Sequence, residues 1–170
     1  MEKTLISEKV TKAINNLLIN DTYLLEHDLN ERSITHKLAE YLQQEFLGFN
    51  VDCEYNGNIT RSNYRGKNLN LHEQKDKLKN KYPKAVISVY PDIIVHQRGT
   101  NDNNLLLIEV KKSSSRVDSA FDLDKLRVYT IDSGLNKLGY EYGIFLKFKA
   151  GQNNPNLEEI IWFQNGEILN

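Results

Sequence analysis

Apolar residues recur along the chain with two periods. Leu5, Ile6, Val10, Ala13, Ile14, Leu17 and Leu18 follow the spacing of one helical face and predict a helix from Leu5 to about Leu25, with Ser7 as a candidate cap. Ile34, Leu38, Leu42 and Phe46 make a second such stripe. Asn30 before it is a natural N-cap and Gly48 after it a natural stop, so a second helix is predicted over Asn30 to Phe46. The period then changes to two. Phe49, Val51, Cys53 and Tyr55 alternate with Asn50, Asp52 and Glu54, the pattern of a half-buried strand. Cys53 falls on the apolar side and is expected to be a small buried hydrophobe. From Val86 to Ser113, two runs rich in β-branched residues flank RGTNDNN, a cluster of turn formers. They read as antiparallel strands joined by a loop. Val117, Phe121, Leu123, Leu126, Val128 and Ile131 predict a helix over Val117 to Ile131, capped by Asp118 or Ser119. Glu141 to Lys149 and Ile160 to Gln164 are strands. Gly151 to Pro155 forms a turn between them, and Asn165-Gly166 is a hairpin-type turn. Trp162 is read as packing. Helices interspersed with strands in this order give an α/β class.

With 170 residues the chain is expected to be one domain, spanning 1–170, with a sizeable core. A hydrophobic fraction of 39% and a charged fraction of 26% place it with soluble globular proteins. The net charge of −1 excludes nothing, but its distribution is uneven. Gly57 to Lys84 holds eight basic residues against two acidic ones, leaving fourteen against twenty-one elsewhere. Basic residues interleaved with aromatics there, Arg61, Tyr64, Arg65 and Lys67, suit a nucleic-acid backbone. The alternative is a solvated loop, with HEQKDKLKNKYPK as a short polar helix ending before Pro83. Cys53 is the single cysteine, which excludes an intrachain disulfide and a Cys/His zinc motif. No apolar run is long enough to span a membrane, and the first ten residues lack a signal-peptide core. A cytoplasmic protein with no membrane partner is expected.

Polar residues inside the two central runs carry the candidate chemistry. A charge inside such apolar sequence needs a partner, since burying it alone costs several kcal/mol. If the loop folds symmetrically about Thr100 and Asn101, Asp92 falls opposite Glu109. Such paired residues point to one face with Cβ atoms about 4.5–5.5 Å apart. Lys111, two residues on, shares that face. Carboxylates this close call for a divalent cation, and oxygen ligands favour a hard one such as Mg²⁺, with Mn²⁺ as substitute. A neighbouring lysine can hold a water or a charged transition state. The other reading makes Asp92 a bulge residue after Pro91, and Glu109 and Lys111 an exposed edge-strand pair.

Pro91-Asp92, a spacer, then Glu109-Val110-Lys111 resembles the PD-(D/E)XK nuclease superfamily. The likeness extends over roughly Asn30 to Lys149 as an order of elements. It implies a restriction-endonuclease-like core, a mixed central sheet flanked by helices, here with an extra N-terminal helix. It implies a Mg²⁺-dependent nuclease acting on nucleic acid, DNA ahead of RNA, with Asp92, Glu109 and Lys111 as catalytic residues. In the family the middle residue of Glu-x-Lys gives its backbone carbonyl to the metal, which here is Val110. A further acid often comes from the preceding helix, where Glu31 stands; alternatively Glu31 complements the helix dipole. Asp52 and Glu54 are other acids near the site, or a solvated strand face. Lys112 and Arg116 would touch phosphates or face water. The following helix often presents a polar side chain to the site, and Lys125 is the candidate here, against an ordinary surface pair with Asp122. Such nucleases often work as homodimers or with a partner subunit. Two other functions are set against this one: a catalytically inactive nuclease-like module that binds nucleic acid or a partner protein, and a metal-dependent phosphoesterase acting on nucleotides.

Overall fold

The computed structural model describes residues 1–55, 57–60, 63–66, 90–131 and 138–169, with backbone alone at 57–60 and 63–66. The N-terminal stripe forms two helices, α1 (Lys3–Asn20) and α2 (Thr22–Glu26), rather than one. Asp21 leaves the helical conformation, and its carboxylate accepts a 2.6 Å hydrogen bond from the Tyr41 hydroxyl. That tertiary contact turns the chain so that Leu25 reaches the core. Helix α3 (Glu31–Glu45) begins as predicted, with the Asn30 side chain accepting from the Arg32 amide.

Six strands form a mixed sheet in the order β1-β4-β5-β6-β7-β8. They are β1 (Asn50–Cys53), β4 (Ile93–His96), β5 (Leu106–Lys112), β6 (Tyr142–Phe148), β7 (Leu157–Gln164) and β8 (Glu167–Leu169). All neighbours are antiparallel except β5 and β6, which run parallel and are joined through α4 (Ala120–Thr130). A separate hairpin, β2 (Gly57–Thr60) and β3 (Asn63–Gly66), lies where the sequence predicted no strands. The polar helix expected before Pro83 falls outside the described residues.

Side-chain alternation divides the apolar interior in two. Ile93, Val95, Leu106, Ile108, Val110, Ile144 and Leu146 face α1, α2 and α3. Ile94, Leu107, Phe145 and Phe163 face α4 through Leu126 and Tyr129. Helices therefore cover both faces of the central strands, as an α/β class requires. Helix α4 is shorter than predicted: Val117 is exposed, and the Asp118 side chain accepts from the Ala120 amide to set the start. Among the described residues no helix is long and apolar enough to cross a membrane.

Two expectations at β1 need correcting. Cys53 is exposed, because β1 is an edge strand and only its first half, through Val51, packs against the core. Glu54 then adopts φ +47°, which ends the alternation and sends Tyr55 to the α4 side. There its ring meets His96 edge-on, with centroids 4.6 Å apart.

The predicted turn at Asn165-Gly166 joins β7 to β8, with φ +52° and +80°. A Cβ on Gly166 would lie 2.6 Å from Ile131 Cγ1, and the Gly166 amide donates to Thr130 Oγ1 at 3.2 Å. The turn thus pins the C-terminal end of α4. Gly166→Ala should cost at least about 1–2 kcal/mol from the left-handed backbone alone, read as a lower urea midpoint. An unchanged midpoint would show that the turn does not hold α4.

Candidate active site

The β4–β5 ladder pairs Ile93 with Ile108, Ile94 with Leu107 and Val95 with Leu106. One step further, the same register sets Asp92 against Glu109, the alignment predicted from loop symmetry. Glu109 and Lys111 continue the Leu107 side of β5, and Asp92 continues the Ile94 side of β4. All three belong to the face covered by α4. Strand β5 is central and its Glu109 and Lys111 are buried, so the edge-strand alternative fails.

β5 outruns β4. Past Ile93 the edge of β5 has no strand beside it among the described residues, yet its amides still need partners. Two carboxylates supply them. Asp92 Oδ2 accepts from the Val110 amide at 2.8 Å, and Glu31 Oε2 accepts from the Lys112 amide at 3.1 Å. A strand residue directs its N–H and C=O to the same neighbour, so the Val110 carbonyl faces this edge too. The Val110 side chain is buried in the opposite core, as predicted. Glu31 lies in the first turn of α3, as the helix-dipole reading has it, and its charge bears on Asp92.

Among the described residues Glu109 is the most deeply buried acid, only 1% exposed. Its Oε2 accepts from Lys125 Nζ at 2.6 Å, and its Oε1 has no hydrogen-bond partner. Lys111 Nζ donates to Asp122 Oδ2 at 2.9 Å. Lys125 Nζ also lies 3.6 Å from Asp122 Oδ1. Asp122 and Lys125 are one helical turn apart, so α4 presents both to β5. The predicted surface pair of Asp122 and Lys125 is therefore a buried pair at the site. Burial overrides the surface reading because Lys125 supplies the counter-charge that Glu109 requires. Sequence reasoning gave Asp122 only the part of a surface partner to Lys125. The available signal was its position three residues before Lys125, on the face that also carries Leu126 and Tyr129.

Burial pushes the Asp92 carboxyl up to about 6. The Val110 amide and Lys125 pull it down, while Glu31 and Asp122 push it further up. Burial likewise holds the Glu109 carboxyl well above its ordinary value, against the pull of Lys125. Burial opposes charge on Lys125 as well, but Glu109 outweighs it and keeps the ammonium protonated.

Other candidates are engaged elsewhere. Lys112 Nζ is bound to the Asp28 and Leu29 carbonyls at 3.2 and 2.7 Å and to Asp28 Oδ1 at 2.7 Å. It fastens the α2–α3 turn to β5, which removes it from phosphate binding. Asp52 lies 2.9 Å from His96 Nε2 and accepts from Arg98 Nε at 2.8 Å; those partners hold its carboxyl low despite burial. Glu54 pairs with Arg32 at 3.1 Å. Arg116 is exposed beside the β5–α4 connection. Arg61 and Lys67 lie outside the described residues, and Arg65 is described as β3 backbone only. Among the described residues no three His, Cys, Asp or Glu side chains are gathered into a ready-made metal site. A cavity of about 440 Å³ lined by Asp102, Asn104, Tyr140 and Glu141 lies at the opposite end of β5.

Two stability measurements test this electrostatic account. Lys125→Met strands Glu109 without a counter-charge and should lose about 3–5 kcal/mol in urea unfolding at pH 7. Adding Glu109→Gln should recover much of the loss; no recovery would disprove the pairing. Asp92 behaves oppositely. Its folded value near 6 exceeds the ordinary carboxylate value, so the folded chain holds a proton that the unfolded chain releases as pH rises from about 4 to 6. Stability falls across that window. Asp92→Asn should remove the fall and raise the urea midpoint above that of the parent at pH 7, and a lower midpoint would refute the assignment.

No family model, curated protein or solved structure matches the chain, so its side chains carry the functional reading.

Proposed function

We propose that the chain is a metal-dependent nuclease on a restriction-endonuclease-like core, hydrolysing phosphodiester bonds in nucleic acid, DNA ahead of RNA, with Mg²⁺ or Mn²⁺. The observation that carries this reading is the convergence of Asp92, Glu109 and Lys111 on one face, from two paired strands, beside an edge that Glu31 and the Val110 carbonyl also face. Charge balance supports it. Asp92, Glu31, Glu109 and Asp122 bring four carboxylates, while Lys111 and Lys125 bring two ammonium groups. With all four ionised, the excess of two negative charges is that of one divalent cation. The unpartnered Glu109 Oε1 is a buried oxygen that suits such an ion.

Asp92, Glu109, Glu31 and the Val110 carbonyl would hold the metal, an all-oxygen set suited to a hard cation. Bound there, the cation supplies an activated water and neutralises charge at the phosphoryl group. Lys111 orients the attacking water and stabilises negative charge as the new P–O bond forms and the old one breaks. Lys125 balances Glu109. Arg116, with Arg61, Arg65 and Lys67, engages the phosphate backbone, an interaction that weakens steeply with salt. Cutting two strands would use a second copy or a partner subunit.

One observation favours an inactive binding module instead: Lys125 already occupies Glu109 Oε2. Mn²⁺ titration separates the two. The nuclease reading expects Mn²⁺ binding that Glu109→Ala abolishes. It also expects cleavage of a DNA duplex that falls roughly 10²–10³-fold in Lys111→Ala, the usual scale for losing one transition-state charge contact, and is lost in Asp92→Ala with the fold intact. Undiminished cutting in both variants, or no Mn²⁺ binding by the parent, would remove the proposal.

A further inference from the structure

We infer that Asp122, which the proposed reaction leaves without a role, is the positioning residue for the Lys111 amine. The inference rests on the nuclease reading and deepens it. Lys111 sits on β5 one pleat beyond Glu109, on the same face. Its long, flexible stem gives the ammonium a choice of partners, and the nearest strand neighbour on that face is a carboxylate. Left alone, the amine would swing back toward Glu109 and compete with Lys125.

The geometry excludes that outcome. Asp122 reaches down from the first turns of α4 and takes Lys111 Nζ at 2.9 Å, while Lys125 Nζ keeps Glu109 at 2.6 Å. The order of charges is Lys111, Asp122, Lys125, Glu109, alternating in sign, with side chains 10, 14, 6 and 2% exposed respectively. Asp122 uses one oxygen for each amine, at 2.9 Å and 3.6 Å, so its carboxylate fixes the spacing between them. Low exposure keeps water from replacing these contacts, so each ammonium has a defined place. A purely stabilising ion pair would not need to separate two lysines. A site that needs one amine at the scissile group and another on its metal-binding glutamate does.

The test combines two readouts on the full chain. Amine labelling with an N-hydroxysuccinimide ester, without metal, is followed by peptide mass spectrometry. Cleavage of a fluorescein-labelled DNA duplex is followed with Mn²⁺. In Asp122→Asn, Lys111 should label several-fold faster while exposed Lys12 does not change. Cleavage should lose roughly 10²-fold in kcat, the scale expected for an ångström of misplacement, with KM within about twofold. Asp122→Glu, which keeps the charge, should recover part of both and serves as the test if Asp122→Asn fails to fold. Lys111→Ala with Asp122→Asn should cut no more slowly than Lys111→Ala alone, because the aspartate acts through the lysine. Unchanged Lys111 labelling, or losses that multiply in the double variant, would overturn the inference. A parent chain that cuts no DNA while Asp122→Asn still speeds Lys111 labelling would overturn the nuclease reading and support the restraint.

Discussion

A carboxylate on the innermost part of a sheet has to be compensated, and Glu109 sets that demand here. β5 lies between β4 and β6 with both faces covered, so Glu109 cannot reach water. The compensation comes from Lys125, the most buried lysine among the described residues, at 2.6 Å. A buried pair of this kind returns little net stability against an apolar pair of similar volume, because desolvating both charges is costly. An apolar pair would have served folding at least as well. Keeping the charges makes sense if the acid has work beyond packing, and its unpartnered Oε1 points to the same conclusion.

The second constraint is the unequal length of neighbouring strands. β4 stops at Ile93 on its N-terminal side, and β5 continues to Lys112. A continued β4 would have satisfied the Val110 and Lys112 amides with backbone carbonyls and buried the edge. Asp92 and Glu31 do so with carboxylates, each with a second oxygen to spare. The candidate site is thus made where, among the described residues, no strand lies beside β5. Asp92 pays for this in retained protonation, since burial and the nearby Glu31 and Asp122 hold its carboxyl up to about 6.

Local pattern made some of this legible and long-range packing concealed the rest. A loop centre between Thr100 and Asn101 predicted the β4–β5 register, although the loop itself bonds Gln97 to Asn103 and Leu105 to Val95, and a one-residue shift at Leu105–Leu106 restores the predicted alignment. Asn30 set the start of α3, and with it the place of Glu31. The break at Asp21 was hidden because it depends on Tyr41, twenty residues away in sequence. Lys125 was a candidate and Asp122 only its surface partner, and the burial of the pair was hidden for a related reason. On a helix with weakly segregated apolar positions, charges three apart look alike whether they face water or a buried strand. Only the docking of α4 on β5 decides between these. Lys112 shows the reverse error: a cation beside a catalytic-looking motif was free to bind phosphate on paper, but the Asp28–Leu29 turn claims it.

Topology joins these constraints into one. β4 and β5 are antiparallel and need only a loop; β5 and β6 are parallel and need a crossover. That crossover is α4, and it leaves from the end of β5 that extends past β4. The helix that the parallel pair requires is therefore delivered over the end of β5 where the acids collect. Its Asp122 and Lys125 then meet Lys111 and Glu109 in sequence, from the first turns onward. Had β6 joined β5 in antiparallel fashion, no helix would be needed there, and Glu109 would have no cation above it. The change of strand direction and the candidate site are consequences of the same connection, which is why the buried charges gather at this end of β5, away from the cavity at the other end.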